Sequence, residues 1–259
     1  MLLIDGDIVA YKVSAACEEP VHWGEDFWTL HADAMEGKAQ VDIWIEQLKE
    51  DLNSSDVRVF LTGRSNYRTG LFPEYKANRR GKRKPMILGS LRDHLISKWG
   101  AELEDGLEAD DLMGIAATGP ESSGSIIVSI DKDLKSIPCR LYNPDRPEEG
   151  VQEITAAAAD AHHFYQTLVG DSSDNYKGCP NCGPKKAEGL LSIIRPWNRE
   201  ETWEKILQIF DRAGLSSKHA LTQAQVARIL RHGDYNFETK EVKLWKPKSK
   251  RKERKKQSS

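Results

Sequence analysis

The sequence predicts an α/β fold, a mostly parallel sheet flanked by helices, followed by a helical C-terminal third. Three observations predict it. Short apolar runs that read as strands alternate with helix-patterned stretches up to about residue 154. Beyond that point strand signals stop and helical segments follow one another. Carboxylates fall just after the strand-like runs or at helix starts, where an open parallel sheet has its crevice.

The elements can be justified in order. "MLLIDGD" reads as a short buried strand ending in a turn, and "DIVAYKVSAA" as the helix after it. Residues 27–52 carry Ile43, Trp44, Leu48 and Leu52 near a 3.6-residue period and predict one long helix. "DVRVFLT" (56–62) is a second strand. "PMILGSLRDHLISKWG" (85–100) opens with proline at a first helical position and stops at glycine. "EADDLMGIAATG" is another helix with a glycine stop, "SIIVSIDKD" (125–133) a third strand and "CRLYN" (139–143) a fourth. "TAAAADAHHFYQTLVG", "EETWEKILQIFDRAG" and "TQAQVARILRHG" all read as helices.

Composition narrows the function. The chain has 259 residues and 39% hydrophobic content, enough for one large domain with a small appendage. A net charge of -2 hides an uneven distribution: the ending "KPKSKRKERKKQSS" (246–259) is basic and reads as a disordered, DNA-tethering tail, so the body is acidic. No apolar run is long enough to span a bilayer. Four cysteines without framework spacing, and a strand that starts at residue 2, suit a cytoplasmic protein without a signal peptide.

The stretch "GLEADD" (106–111) crowds Glu108, Asp110 and Asp111. Two carboxylates ~4 Å apart repel by roughly 4 kcal/mol at an effective dielectric of 20. A single acidic pair is ordinarily a helix cap or a solvated turn, and Asp7 reads as the cap of the helix it begins. Four clusters are harder to explain. Asp5 and Asp7 follow the first strand, Asp131 and Asp133 the third, and Asp171 and Asp174 sit in "GDSSDNYKG". Hard oxygen donors without histidine suit magnesium or manganese, and their number suits two ions, an arrangement that serves phosphodiester cleavage.

"FPEYKANRRGKRK" (72–84) sets lysines and arginines beside Phe72 and Tyr75, a combination suited to a phosphate backbone and an unstacked base. "CPNC" (179–182) has the spacing of half a zinc site but no second pair, and reads as a turn. His162 and His163 read as structural, and Trp23, Trp28 and Trp44 as core or partner contacts.

Taken together, "YKANR", "LEADDLMG", "SIDKDLKSIP" and "GDSSDNYKG" resemble the flap endonuclease and 5′-exonuclease family. The ending "ARILR…YNF…KE…LW" resembles phage 5′→3′ exonucleases of the podovirus type. The resemblance spans about residues 1–247. It implies a PIN-like nuclease domain over 1–160 with a helical arch near 64–86, and a helical duplex-DNA-binding region over 161–245 with a helix-turn-helix. It implies that Asp5, Glu108, Asp110 and Asp111 serve a first metal, and Asp131, Asp133, Asp171 and Asp174 a second. Lys76 and Arg79 would stabilise the scissile phosphate from the arch. Tyr75 would stack on the terminal base, Arg68 would contact phosphate, and Arg80 would bind nucleic acid. Gly183 and Lys185 would contact phosphate in a loop whose backbone binds potassium. The implied partner is DNA with 5′ ends, nicks or flaps, or an RNA–DNA hybrid, acted on by a monomer in the host cytoplasm.

The sequence departs from the family in two places. An aspartate usual after the second strand is replaced by Thr62 and Gly63, which reshapes the first metal site. Asn181 stands at a turn glycine and Lys177 at a proline; asparagine is the residue that best tolerates a left-handed backbone after glycine. Two other functions stay open. "LLIDGDIV" also resembles the opening motif of haloacid-dehalogenase-like phosphatases, with Asp5 as nucleophile and Asp7 as acid. A non-catalytic DNA-binding replication accessory would account for the missing carboxylate.

Overall fold

A computed structural model describes residues 1–193 and 198–247. The basic tail from 248 onward, expected to be disordered, lies outside the described residues.

The first strand, β1 (Leu2–Asp5), leads into α1 (Gly6–Ala16). A hairpin of β2 (Glu19–His22) and β3 (Trp28–His31) precedes α2 (Ala34–Asp51). Then come β4 (Val57–Asn66), the single turn α3 (Arg68–Leu71), α4 (Leu88–Trp99), β5 (Glu102–Gly106), α5 (Ala109–Ala117) and β6 (Ile126–Val128). The sheet is completed by β7 (Cys139–Tyr142) and β8 (Val151–Ile154). Helices α6 (Ala156–Val169), α7 (Pro184–Ile193), α8 (Arg199–Arg212) and α9 (Ser217–Val226) follow, and a short hairpin, β9 (Tyr235–Asn236) with β10 (Glu241–Val242), comes last.

The six-stranded sheet has the order β5-β4-β1-β6-β7-β8 and is parallel except for the antiparallel pair β7–β8. β1 lies centrally between β4 and β6. Leu2, Leu3 and Ile4 are fully enclosed, which is why this strand is a continuous apolar run. Each such side chain contributes about 1.5–3 kcal/mol on burial. Leu2 and Ile4 face the core beneath α1, α2 and α4; Leu3 faces a second core beneath α5.

Several boundaries differ from the sequence reading. The long helix expected from residue 27 begins at Ala34, where Asp33 accepts from the Met35 and Glu36 amides. Residues 28–31 are instead the β3 strand of an exposed hairpin, so Trp23 and Trp28 are surface residues. α4 starts three residues after Pro85 and ends, as expected, at a left-handed Gly100 (φ 62°). β5 and β8 escaped notice because they lie at the sheet edges: "ELEDG" is mostly exposed and "VQEI" alternates with solvent. The third strand stops at Val128, and Lys132–Ser136 is a 3₁₀ turn.

The helical third packs around Phe164, Trp203, Phe210 and Trp245. The proposed boundary at 160/161 falls inside α6, whose cap is Thr155. Nor does the chain stay with that helical unit to residue 245. Ile229, Leu230 and Tyr235 return to the second core of the sheet.

Candidate active site

Three strand ends meet at one cleft of about 870 Å³. Asp5 closes β1 and caps α1, accepting from the Ile8 amide at 3.1 Å and from the Ser129 hydroxyl at 3.0 Å. The cap is therefore Asp5 and not Asp7. Asp131 follows β6 and accepts from the Asp133 amide at 2.8 Å. Glu108 is the N-cap of α5 and Asp110 lies in its first turn. Asp5, Glu108, Asp110 and Asp131 all line the cleft.

Their electrostatics diverge. Burial, with repulsion from Asp131, pushes Asp5 up to about 6. Burial, then Asp131 and Asp5, push Asp110 well above the ordinary carboxylate range. Asp133 is pushed up to about 7 by burial and by Asp131, Asp171 and Asp174. Glu108 goes the other way: burial opposes its charge, but the ammonium of Lys76 and the guanidinium of Arg68 hold it at about 2. Asp174 is raised by burial, whereas Asp171 is lowered because hydrogen bonds from the Ser173 hydroxyl and amide outweigh burial. Asp131 thus repels Asp5 and Asp110 as well as Asp133.

Three sequence expectations are corrected here. Asp111 does not reach the cleft. It is fully enclosed, makes a bidentate pair with Arg68 at 2.7 Å for each oxygen, and accepts from the amides of Glu108 and Leu230. Arg68 is 2% exposed, and its remaining donors go to Glu108 and the carbonyls of Val226 and Arg228, which leaves none for a phosphate. Tyr75 is 5% exposed and its hydroxyl bonds Glu108 at 2.8 Å and Asp174 at 2.9 Å, so its face is not offered to a base. In each case a polar group in the interior has been given its partners by the fold.

Lys76 and Arg79 do stand at the cleft. The Lys76 ammonium bonds Glu108 and lies 3.6 Å from Asp174, and Arg79 bonds Asp174 at 2.7 Å. Lys76 has a left-handed backbone (φ 52°), an uncommon conformation for lysine, tied down by its amide on the Asp174 carbonyl at 2.9 Å. Arg80 is exposed. The segment 64–86, expected as a helical arch, holds only the end of β4, the single turn α3 and a 3₁₀ turn at Ala77–Arg79. Pro73, the glycine at 81 and Pro85 break it too often for a longer helix.

The sequence reading missed one cluster on the same wall. At the position after the second strand where the resemblance implies an acid, Gly63 is pressed so close to β5 that a Cβ would lie 2.2 Å from the Glu104 carbonyl. Asp7 reaches that place from the neighbouring strand end: it accepts from the Thr62 amide at 2.8 Å and pairs with Arg92, which donates to the Thr62 carbonyl at 2.7 Å. Asp7, Thr62 and Arg92 all line the cleft. The doubled acid in "DGD" was the available signal; Arg92 had none.

The donor set fits a hard divalent cation. It is all carboxylate oxygen, and four of its members, Asp5, Asp110, Asp133 and Asp174, are pushed up in pKa, a cost that bound positive charge would relieve. Among the described residues no three or more histidine, cysteine, aspartate or glutamate side chains are gathered closely enough to hold a metal ion as they stand.

Between α6 and α7 the loop crosses itself. Gly170 (φ 74°) and Gly178 (φ 62°) touch back to back, and a Cβ on either would lie 2.4 Å from backbone of the other strand of the loop. Asn181 takes the expected left-handed conformation (φ 58°). Gly183 and Lys185 are exposed at the start of α7. Cys179 and Cys182 are buried free thiols packed with the helical core. His163 is buried with its ring on the Ala224 carbonyl at 2.7 Å. No helix among the described residues is long and apolar enough to cross a membrane.

No protein-family model matches the chain. Among curated proteins it is 30% identical to the exodeoxyribonuclease of Enterobacteria phage T3, covering 96% of this chain and 93% of that protein. It is 29% identical to the exonuclease of Escherichia phage T7, covering 95% and 93%. Among solved structures it superposes on the T5 5′-exonuclease with divalent zinc ions bound, with a TM-score of 0.63, 15% identity and 88% of each chain covered. The near-complete alignment with the T3 protein, on a fold that brings three of the four quoted motifs to one cleft and pairs Asp174 of the fourth with Lys76 and Arg79, means that this chain belongs to the 5′→3′ exonuclease and flap endonuclease family.

Proposed function

We propose that the chain is a metal-dependent 5′→3′ exodeoxyribonuclease and flap endonuclease, hydrolysing phosphodiesters of DNA at 5′ ends, nicks and flaps, and of RNA in hybrids. The observation that carries this is the cleft itself: mutually repelling Asp5, Asp110 and Asp131 on one side, Lys76 and Arg79 on the other. Asp5, Glu108, Asp110 and Asp131 would hold one magnesium or manganese ion, and Asp133, Asp171 and Asp174 a second. Such ions supply Lewis acidity and a water acidic enough to act as nucleophile near neutral pH.

The chain's own residues do the rest. Lys76 and Arg79 present positive charge to the phosphate, where negative charge grows in the transition state. They leave Glu108 and Asp174 to do so, and the carboxylates are then free to hold metal. Arg92, fixed by Asp7 and Thr62, is a further cation on the same wall. Arg80, Gly183 and Lys185, all exposed, would grip the backbone of the substrate, with the loop between α6 and α7 holding potassium. The phosphatase reading needs none of the helical third or the basic segment, and family membership weighs against it.

The test is digestion of 5′-labelled duplex, nicked and flapped DNA with magnesium and with EDTA. Short labelled products are expected with magnesium alone. Equal cleavage in EDTA would overturn the reading, and hydrolysis of p-nitrophenyl phosphate without DNA cleavage would favour the phosphatase.

A further inference from the structure

The wall of the cleft beside β4 is built unlike the rest. After the second strand, Gly63 has no room for a side chain of any kind, since a Cβ would meet the Glu104 carbonyl at 2.2 Å. A cation stands on this wall instead. Arg92, from α4, lines the cleft there, held by the buried Leu91 and Leu95 of the same helix. Arg64 and Lys84, both exposed, line the cleft as well. Asp7 pairs with Arg92, and Asp93, next to it in sequence, is a further acid of the lining.

Both oxygens of Asp7 are engaged by the chain itself. Its Oδ2 accepts from the Thr62 amide at 2.8 Å and its Oδ1 from Arg92 Nη1. Arg92 Nη2 in turn donates to the Thr62 carbonyl at 2.7 Å. The carboxylate, the Thr62 peptide and the guanidinium thus hold one another in a closed arrangement. These contacts use only part of the guanidinium's donors. The side chain is still 29% exposed, so its remaining donors are open to the cleft. A guanidinium fixed at one edge and open at the other suits an anionic oxygen such as that of a phosphate.

β1 lies between β4 and β6, so Asp5 at its end separates this wall from Asp131 and Asp133, which follow β6. A phosphate held here is therefore a different one from that among the carboxylates. We infer that Arg92 binds a backbone phosphate of the substrate strand beside the one being cleaved, and that Asp7 is a positioning residue which aims Arg92 at it. This rests on the nuclease reading and gives the doubled acid of "DGD" two separate tasks. Asp5 serves the metal, and Asp7 serves the path of the strand past it. The contact is the same before and during cleavage, so it contributes to affinity more than to the rate at saturation. Lys76 and Arg79 differ in this respect, because their charge meets the phosphate being cut.

The experiment uses the full chain and a fluorescent 5′-flapped duplex. Binding is measured in EDTA across a salt series, and single-turnover cleavage with magnesium across a protein series. Arg92→Gln should weaken binding about tenfold and lower the salt slope by about 0.7–0.9, the value of one phosphate contact. Most of its loss in cleavage should lie in half-saturation rather than in the saturating rate. Arg92→Lys keeps the charge but not the planar fork, so it should bind more weakly than wild type with the slope retained. Wild-type affinity in either variant, or a loss of rate larger than the loss of affinity, would overturn the contact. Should Arg92→Gln fail to fold, Arg92→Lys decides alone. Asp7→Asn should alter affinity and salt slope in the wild-type background and leave both unaltered in the Arg92→Gln background. No effect in the first, or an equal effect in both, would refute the positioning role. A wild-type protein that cleaves normally while Arg92→Gln binds as it does would sink this inference alone. One that neither binds nor cleaves the flapped duplex would sink the nuclease reading with it.

Discussion

Asp110 and Asp111 are adjacent in the first turn of α5, yet the fold treats them oppositely. Asp110 lines the cleft beside Asp5 and Asp131, and its carboxyl is pushed well above the ordinary range. Asp111 is wholly enclosed, forked on Arg68 and bonded by the Leu230 amide from the returning C-terminal segment. At 3.6 residues per turn, successive side chains point about 100° apart, which is enough to send one to the crevice and the other to the core. Crowded charge is therefore not in itself the mark of a metal site. The mark is a carboxylate that the chain leaves in repulsion, against one that it neutralises with its own arginine.

The largest expected effect separates the two residues by function. Asp110→Asn or Asp131→Asn should lower single-turnover cleavage on the order of a thousandfold, in keeping with loss of a preorganised electrostatic element. Duplex binding should persist, as it draws on basic contacts. Cleavage within tenfold of wild type in both variants would remove these residues from the site.

Next in size is stability. Arg68→Ala or Asp111→Ala leaves a buried charge without its partner and should cost about 3–5 kcal/mol in urea unfolding. Asp110→Asn should leave stability unchanged or raise it, since it relieves repulsion. If Asp110→Asn destabilised the protein as much as Asp111→Ala, the contrast between the two sites would fail.

Lys76→Ala and Arg79→Ala should slow the chemical step by about a hundredfold while changing ground-state DNA affinity much less. A change confined to affinity would make this segment a tether and not part of the chemistry.

The smallest effect is a pH dependence. Asp5 and Asp133 titrate at about 6 and about 7, above the value near 4 of an unfolded carboxyl. The folded state binds these protons more tightly, so they add stability at low pH that is lost as pH rises through 6 and 7. Glu108, held at about 2, contributes above its unfolded value and loses this only as pH falls toward 2. Without divalent metal, the melting temperature should drop by a few degrees from about pH 5 to about pH 8. The magnesium-induced rise should grow over the same window. A magnesium effect equal at both ends would show that these carboxyls do not carry the repulsion.

How far the sequence could be read depended on whether a residue's role was local. Strand β1, the helix over Leu88–Trp99 and the left-handed Asn181 follow from runs, stops and backbone tolerance within a few positions. The edge strands β5 and β8 and the β2–β3 hairpin were obscured because strand patterning weakens where one side faces solvent. Lys76 and Arg79 were singled out by the family resemblance within the basic run, whereas Arg92 sits singly in an ordinary helix and reveals itself only by pointing at Asp7 and Thr62.

By itself the sequence determined the layered α/β class, the helical third, and the chemistry of a cleft rich in carboxylates faced by cations. Residue type and periodicity carry that information directly. Only the tertiary structure decided which carboxylates face the cleft and which groups are spent on the fold. Arg68, Tyr75 and Asp111 look functional in the chain, but Arg68 is held by the carbonyls of Val226 and Arg228, Asp111 by the Leu230 amide and Tyr75 by Glu108 and Asp174, all distant in sequence. A buried polar group is fixed by whichever partner satisfies it, and that partner is set by packing, not by neighbours in sequence.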